Sequence, residues 1–371
     1  MVNVDPRAGY TLYAAECSLY SGKLRSYLRK KGIAYREIAP SVLTYKRFIV
    51  PRTGVSYIPV LHTPDDEVWQ DTTEIIDRLE ARHPDPAVYP ESPCQRLVSL
   101  LLEVYGDEWL LIPAMHYRWN FPDDNLPFLH DEFGGVAFPW LPRFLRRRLG
   151  RRVAARFAGF VPGLGITEDT IPAIEASYRA LLDDLDVHFR RHDFLLGSRP
   201  SIGDFGLIGP LYAHLYRDPH PGRLMRERAP AVAAWVEGMT DEQPVEGDFL
   251  PGDAVPETLL PVLQRMVREQ MPVLADTAVR LAQWRESHPE ERTIPRALGE
   301  HDFDIEGVQG RRKVLPFSLW MWQRVLDFYR GLSREQRDGV AELLDEIDAK
   351  PFLERSWPVR VDRRDNRFVI L

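Results

Sequence analysis

Apolar and polar positions along residues 10–83 follow the rhythm of short strands alternating with helices. Residues 10–15 form an apolar run of strand length, and 19–31 repeat apolar side chains at helical spacing (Leu24, Tyr27, Leu28) before Gly32 ends the pattern. A second strand is expected over 34–39, followed by a loop. Residues 58–62 and 67–70 flank the turn residues Thr63-Pro-Asp-Asp66 and read as a hairpin. Residues 72–81 then place Ile75, Ile76 and Leu79 on one helical face. This order predicts an α/β layer in which helices cover a small mixed sheet.

After residue 83 the pattern changes. His83 to Pro93 holds four prolines in eleven residues, which cannot continue a helix and suits a linker. Residues 95–116 read as one long helix with Leu97, Leu100, Leu101, Val104, Trp109 and Leu110 inward, and 167–192 as a second. Between them, 121–165 carries Pro122, Pro127, Pro139, Pro142 and Pro162 and is expected to be an irregular insertion. Ser201-Ile-Gly-Asp204 has the form of a capping box opening a helix to about 215, and 221–239 and 259–285 supply two more helices. From 287 onward the pattern predicts a basic loop, helices over 317–330 and 335–349, and a hairpin around Arg364-Asp-Asn366. The expected division is 1–83, a linker at 84–94, an all-helical part over 95–286 and a C-terminal extension over 287–371.

Composition narrows the class. The chain has 371 residues, 28% charged and 44% hydrophobic, the balance of a globular protein of more than one domain. Its formal net charge of -7, from 48 basic and 55 acidic residues, provides no general field for nucleic acid. Only two cysteines occur, Cys17 and Cys94, so a disulfide framework is not expected and a reducing compartment is. The stretch 1–7 lacks an apolar signal region, and no run approaches the roughly 20 apolar residues of a membrane span. A cytoplasmic protein with no membrane partner is the expectation.

Two segments carry candidate chemistry. The first strand runs into Cys17-Ser-Leu-Tyr-Ser21, a small polar turn opening a helix, where unpaired N–H groups and the helix dipole stabilise a thiolate. The second segment is Ile58-Pro59 entering a strand, where a cis bond would present the Ile58 backbone to an extended peptide ligand. Asp71-Thr72 then opens the next helix.

In these residues the chain resembles the soluble glutathione S-transferases: a thioredoxin-like N-terminal domain, a proline-bearing linker and an all-helical C-terminal domain, here with an extra α/β extension. The specific motifs lie between residues 10 and 80. Ser18-Leu-Tyr-Ser21 occupies the frame of the thioredoxin-like catalytic turn, ahead of Lys23-Leu-Arg25. The resemblance implies glutathione as co-substrate with no metal, Ser18 as the activating hydroxyl, and Ile58 with its cis Pro59 pairing with the cysteinyl backbone. It also implies that Asp71 and Thr72 hold the γ-glutamyl group. The 51–57 loop departs most from the family and leaves the glycine end of glutathione unassigned.

Two other registers stay open. Cys17-Ser-Leu19 matches cysteine-type members, which reduce mixed disulfides, and Tyr13 lies about one residue from the tyrosine-type position. In the Ser18 reading a hydroxyl donates to the bound sulfur, the helix dipole adds to it, and no general base is needed. A small apolar or aromatic electrophile is expected between the domains against Trp109, His116, Tyr117 and Trp119. The resemblance also implies a homodimer. A third reading is a non-catalytic scaffold with the glutathione-transferase fold, its extension covering the cleft.

Plainer roles are weighed for the remaining features. Serines at a helix start often only cap it. His188 and His192 sit four apart, as metal ligands can, but a solvated face is expected. His116 serves equally as a core histidine, and Trp320, Met321 and Trp322 are expected in the core. The arginine run over 143–156 could touch an anionic membrane, but packing on the protein's own acidic surface, or across a dimer, is the expected role.

Overall fold

The structure, a computed structural model, describes residues 9–371, so the expectation for 1–7 lies outside the described residues. The chain runs β1 (Tyr10–Tyr13), α1 (Leu19–Lys30), β2 (Tyr35–Ile38), α2 (Val42–Thr44), α3 (Val50–Thr53), β3 (Val60–His62), β4 (Val68–Gln70) and α4 (Thr72–Arg82). Helices follow: α5 (Pro93–Val104), α6 (Leu111–Trp119), α7 (Pro122–Ala137), α8 (Arg143–Ala158), α9 (Ile171–Phe189), α10 (Ile202–Ala213), α11 (Pro219–Arg228), α12 (Pro230–Thr240) and α13 (Leu260–Ser287). The remainder is β5 (Glu300–Ile305), β6 (Val308–Lys313), α14 (Phe317–Gly331), α15 (Arg334–Glu346), α16 (Lys350–Glu354), β7 (Val361–Arg364) and β8 (Arg367–Ile370). These elements form two compact units. One comprises residues up to Val88, Ala114–Phe160 and Leu207–Glu246; the other comprises Tyr89–Pro113, Val161–Gly206 and Gly247–Leu371.

In the first unit the sheet order is β2-β1-β3-β4, with β1 parallel to β2 and antiparallel to β3. Leu12 pairs with Leu61 and Tyr13 with Val60, so the pleat sends apolar side chains to matching faces and both positions of the first pair are fully buried. The helices α1 and α4 bury Leu24, Tyr27 and Leu28, and Ile75, Ile76 and Leu79, as their 3.6-residue period predicts. Residues 42–53 are helical, where the sequence reading expects a loop. Ser41 caps the run by accepting from Thr44 N at 3.1 Å, the π-helical Tyr45–Ile49 joins α2 to α3, and Gly54 ends it at φ 72°. Val, Ile and Thr hide this helix from propensity, while the burial of Ile49 against Tyr13 and Val60 selects it.

The expected irregular insertion is a helical hairpin. Pro122 stands in the first turn of α7 and Pro142 just before α8, where a missing N–H is harmless, so these prolines start helices rather than break them. The two helices cross at Gly134 and Gly150. A Cβ on Gly134 would lie 2.2 Å from Arg146 O, and one on Gly150 2.2 Å from His130 O. Gly134→Val is expected to destabilise this hairpin by more than about 2 kcal/mol through overpacking. Hydrogen exchange over 122–158 reads the effect; protection unchanged from wild type would refute the close crossing.

In the second unit, the single helix expected over 95–116 is interrupted by the π-helical Tyr105–Trp109 between α5 and α6. The expected cap is present: Asp204 Oδ2 accepts from Ser201 N and Ser201 Oγ, both at 2.8 Å. His188 does not lie on a solvated face. It is fully buried, with Nδ1 2.7 Å from Thr258 Oγ1 and Nε2 3.2 Å from Phe194 O, and burial lowers its pKa to about 4. Part of the expected basic loop is the hairpin β5–β6, whose His301, Phe303 and Ile305 alternate inward. Its turn residues Glu306 and Gly307 both take positive φ, the two-residue turn that a right-handed hairpin twist favours. Hairpin β7–β8 turns likewise at Asp365-Asn366. Met321 and Trp322 are fully buried in α14, as core residues. Among the described residues no helix is long and apolar enough to cross a membrane, and no cluster of three metal-ligating side chains occurs.

Candidate functional site

The β1–α1 turn assembles the site from two serines. Ser18 has extended backbone angles and serves as N-cap of α1, its Oγ accepting from Ser21 N at 3.3 Å. Ser21, fully buried, uses its own Oγ to accept from Ala15 N at 3.3 Å, tying the end of β1 to the helix. No acidic residue occupies the first turn of α1, so the positive end of the helix dipole is not offset there. Ser18 is half-buried, and its O–H donates to no acceptor among the described residues.

Cys17, one position earlier, has a different environment. Its side chain is only 7% exposed and packs with Ala15, Leu129, Phe133 and Ala154, with Ile58 and Trp119 against the same cluster. Burial pushes its thiol pKa up to about 11, against the smaller lowering influence of Arg118. Cys94 is raised to about 12 by burial and by Asp253. Because the thiolate is the reactive form, Cys17 at neutral pH is expected to alkylate at least about a hundredfold more slowly than a free thiol, and faster by about tenfold per pH unit below 11. Iodoacetamide labelling of native and unfolded protein, resolved by peptide mass, checks this. Rapid native labelling of Cys17 at pH 7 would contradict it.

Beneath the turn lies a buried ion pair that the sequence reading did not single out. Arg118 in α6 donates to Asp218 through Nε (2.6 Å) and one terminal nitrogen (2.8 Å), to Cys17 O at 2.8 Å and to Ala213 O at 2.7 Å. His214 also lies against the Cys17 backbone, and burial holds it well below its ordinary pKa. Arg217 spans Glu132 of α7 at 2.8 Å and Glu16 of the turn at 3.9 Å. Nothing in the periodicity of α6 distinguishes Arg118 from a solvated arginine.

The remaining expected residues divide. The Ile58-Pro59 bond is cis, and Ile58 packs both against the Cys17 cluster and against Tyr13, Ile49 and Val60. Asp71, at φ 82°, caps α4: its Oδ1 accepts from Thr73 N at 3.0 Å and Glu74 N at 3.3 Å. Thr72 is buried beside it, and Lys23 Nζ donates to Thr73 Oγ1 at 3.1 Å, joining α1 to α4. Of the four expected aromatic-wall residues, Trp119 stacks on Phe133 beside Cys17. His116 and Tyr117 are buried and contact Phe121 instead. Trp109 belongs to the second unit, where its Nε1 donates to Glu269 at 2.9 Å. Tyr45, which the reading missed, is pushed up to about 12 by burial and by the charge of Cys17. The signal for its helix was the Ser41-x-x-Thr44 cap.

Two family models match parts of the chain. The family model described as the glutathione S-transferase N-terminal domain matches residues 12–87, and the one described as the C-terminal domain matches 168–238. Over these two stretches the chain matches the glutathione S-transferase family. Residues 88–167, which include the α7–α8 hairpin, and 239–371, which include the C-terminal extension, lie outside both matches. Solved structures similar to it include the β-etherase LigF from Sphingobium sp. strain SYK-6, at 16% identity over 62% of this chain and 94% of that one, TM-score 0.42. A glutathione S-transferase-like protein from Pseudomonas syringae is 20% identical over 62% and 66%, TM-score 0.42. A glutathione S-transferase from Methylobacterium radiotolerans, in complex with glutathione sulfonate, is 20% identical over 65% and 97%, TM-score 0.38. No protein with a curated description matches the chain.

Proposed function

We propose that this chain binds glutathione at the β1–α1 turn and the Ile58-Pro59 segment, stabilises its thiolate with Ser18, and transfers it to a small apolar or aromatic electrophile. The observation that carries the reading is the contrast within the turn: Ser18 keeps an uncommitted O–H at a helix N-terminus, while Cys17 is buried with its thiol pKa raised to about 11. A donor there favours the anionic sulfur, and the helix dipole adds to it. The sulfur then forms the new carbon–sulfur bond as the electrophile's leaving group departs, and the thiol proton goes to solvent. Ile58 would pair by its backbone, while Asp71 and Thr72 at the start of α4 would face the γ-glutamyl end. The same reading carries a homodimeric cytoplasmic enzyme in four parts (1–83, 84–94, 95–286, 287–371), on the family resemblance.

A second reading, a glutathione-fold protein without turnover, is favoured by one feature: α7 and α8 lay Leu129, Phe133 and Ala154 over the surface that includes Ile58 and Cys17. Titrating glutathione against tryptophan fluorescence and assaying aryl halide conjugation separates the two. Saturable binding with turnover supports the transferase. Binding without turnover leaves the second reading, and no binding at millimolar glutathione would sink both.

A further inference from the structure

We infer that the outward face of α8 is a docking surface for anionic phospholipid membranes. Helix α8 contains seven arginines and no lysine, aspartate or glutamate, within a chain whose net charge is -7. The expected packing on the protein's own acidic surface is met by one residue: Arg143 pairs with Asp131 of α7 at 2.9 Å. Arg147, Arg148, Arg151 and Arg152 are exposed and form no ion pair with any described residue. At 3.6 residues per turn these four fall on one side of the helix, with Phe144 and Ala155 among them.

The apolar side chains on this surface match an interface rather than a core. Phe144 is 72% exposed and Trp140, in the turn before α8, is 51% exposed, whereas Phe157 at the other end turns inward and stacks on Phe133. Large exposed aromatics at the start of a basic helix suit the boundary between headgroups and acyl chains, where the rings enter and the guanidinium groups hold phosphates bidentately. The opposite side of α8 is already used, because Gly150 and Ala154 pack against α7. The hairpin therefore holds the basic face outward as a convex rod of about 24 Å. A planar membrane can meet a convex rod along its length, whereas peptide recognition ordinarily uses a groove or a sheet edge. This reverses the expectation of no membrane partner and is independent of glutathione chemistry.

The full-length protein should co-sediment with vesicles containing one-third phosphatidylglycerol, but not with pure phosphatidylcholine, and salt should weaken the binding. An arginine near an anionic surface is worth roughly fivefold in partitioning, so Arg147→Gln, Arg148→Gln, Arg151→Gln and Arg152→Gln together should lower it by a hundredfold or more. Phe144→Ser alone should lower it by roughly tenfold. Melting by circular dichroism should be unchanged in both variants, since all five side chains are exposed. Equal binding to neutral vesicles, or variants that bind as wild type does, overturns the proposal. So does retention on an oligonucleotide with vesicles inert, or a dimer in sedimentation equilibrium that the quadruple variant dissolves while wild type ignores vesicles.

Discussion

Replacing Ser18 by alanine is expected to lower kcat/KM for glutathione conjugation about 10- to 100-fold, the value of one hydrogen bond to a charged partner at roughly 1.5–3 kcal/mol. Glutathione affinity should change by only a few-fold, because backbone and γ-glutamyl contacts remain. The distinguishing readout is the pH profile. With the donor gone, the bound thiol's pKa rises, so the limb of kcat/KM for the electrophile against pH, measured at saturating glutathione, should move up by about one to two units. Ser18→Thr, which keeps the hydroxyl, should restore the profile more fully than it restores kcat. Cys17→Ala should leave conjugation within about twofold, since its thiol is buried at a pKa of about 11. A Cys17→Ala protein inactive in disulfide reduction beside a fully active Ser18→Ala protein would transfer the chemistry to the cysteine.

The largest stability effect is expected at Asp218. Its side chain is fully buried and accepts two of the four hydrogen bonds made by Arg118, whose side chain is 2% exposed. Asp218→Ala leaves that guanidinium without a counter-charge in the interior, which costs about 3–5 kcal/mol. Because Arg118 also holds Cys17 O and Ala213 O, the loss should reach the β1–α1 turn and weaken glutathione binding as well. Urea unfolding measures the first effect and glutathione titration the second. The double variant Arg118→Met with Asp218→Leu removes both charges and should recover most of the stability but not the tie to Cys17 O. If Asp218→Ala alone unfolds at the wild-type urea midpoint, the pair does not hold this turn.

The mixed sheet and the α1 and α4 helices were legible because their burial is periodic: Leu12 and Leu61 meet across one ladder, and Leu24, Tyr27 and Leu28 share one helix face. The cap at Ser201 and Asp204 was legible because capping is local chemistry. The hairpin of α7 and α8 was not, because five prolines signal breaks, yet Pro122 opens α7, Pro127 sits inside it and Pro142 precedes α8. The crossing that makes it a hairpin depends on Gly134 meeting Gly150, two residues with no side chain to show it. His188 failed for a related reason: its hydrogen bonds go to Thr258 and to the carbonyl of Phe194, and only packing reveals them.

By itself the sequence pointed to the matched family domains, to the strands and the helices α1 and α4 of the thioredoxin-like part but not the helical 42–53 run, and to the candidates Ser18, Cys17, Ile58 and Asp71, because caps, turns and hydrophobic periods act between near neighbours. Tertiary structure decided which of those groups is available. Residues more than a hundred positions away bury Cys17 and raise its pKa, Asp71 is drawn into capping α4, and Ser18 keeps its hydroxyl proton uncommitted. Whether a polar group is desolvated, paired or left with a proton to donate depends on neighbours brought together only by folding.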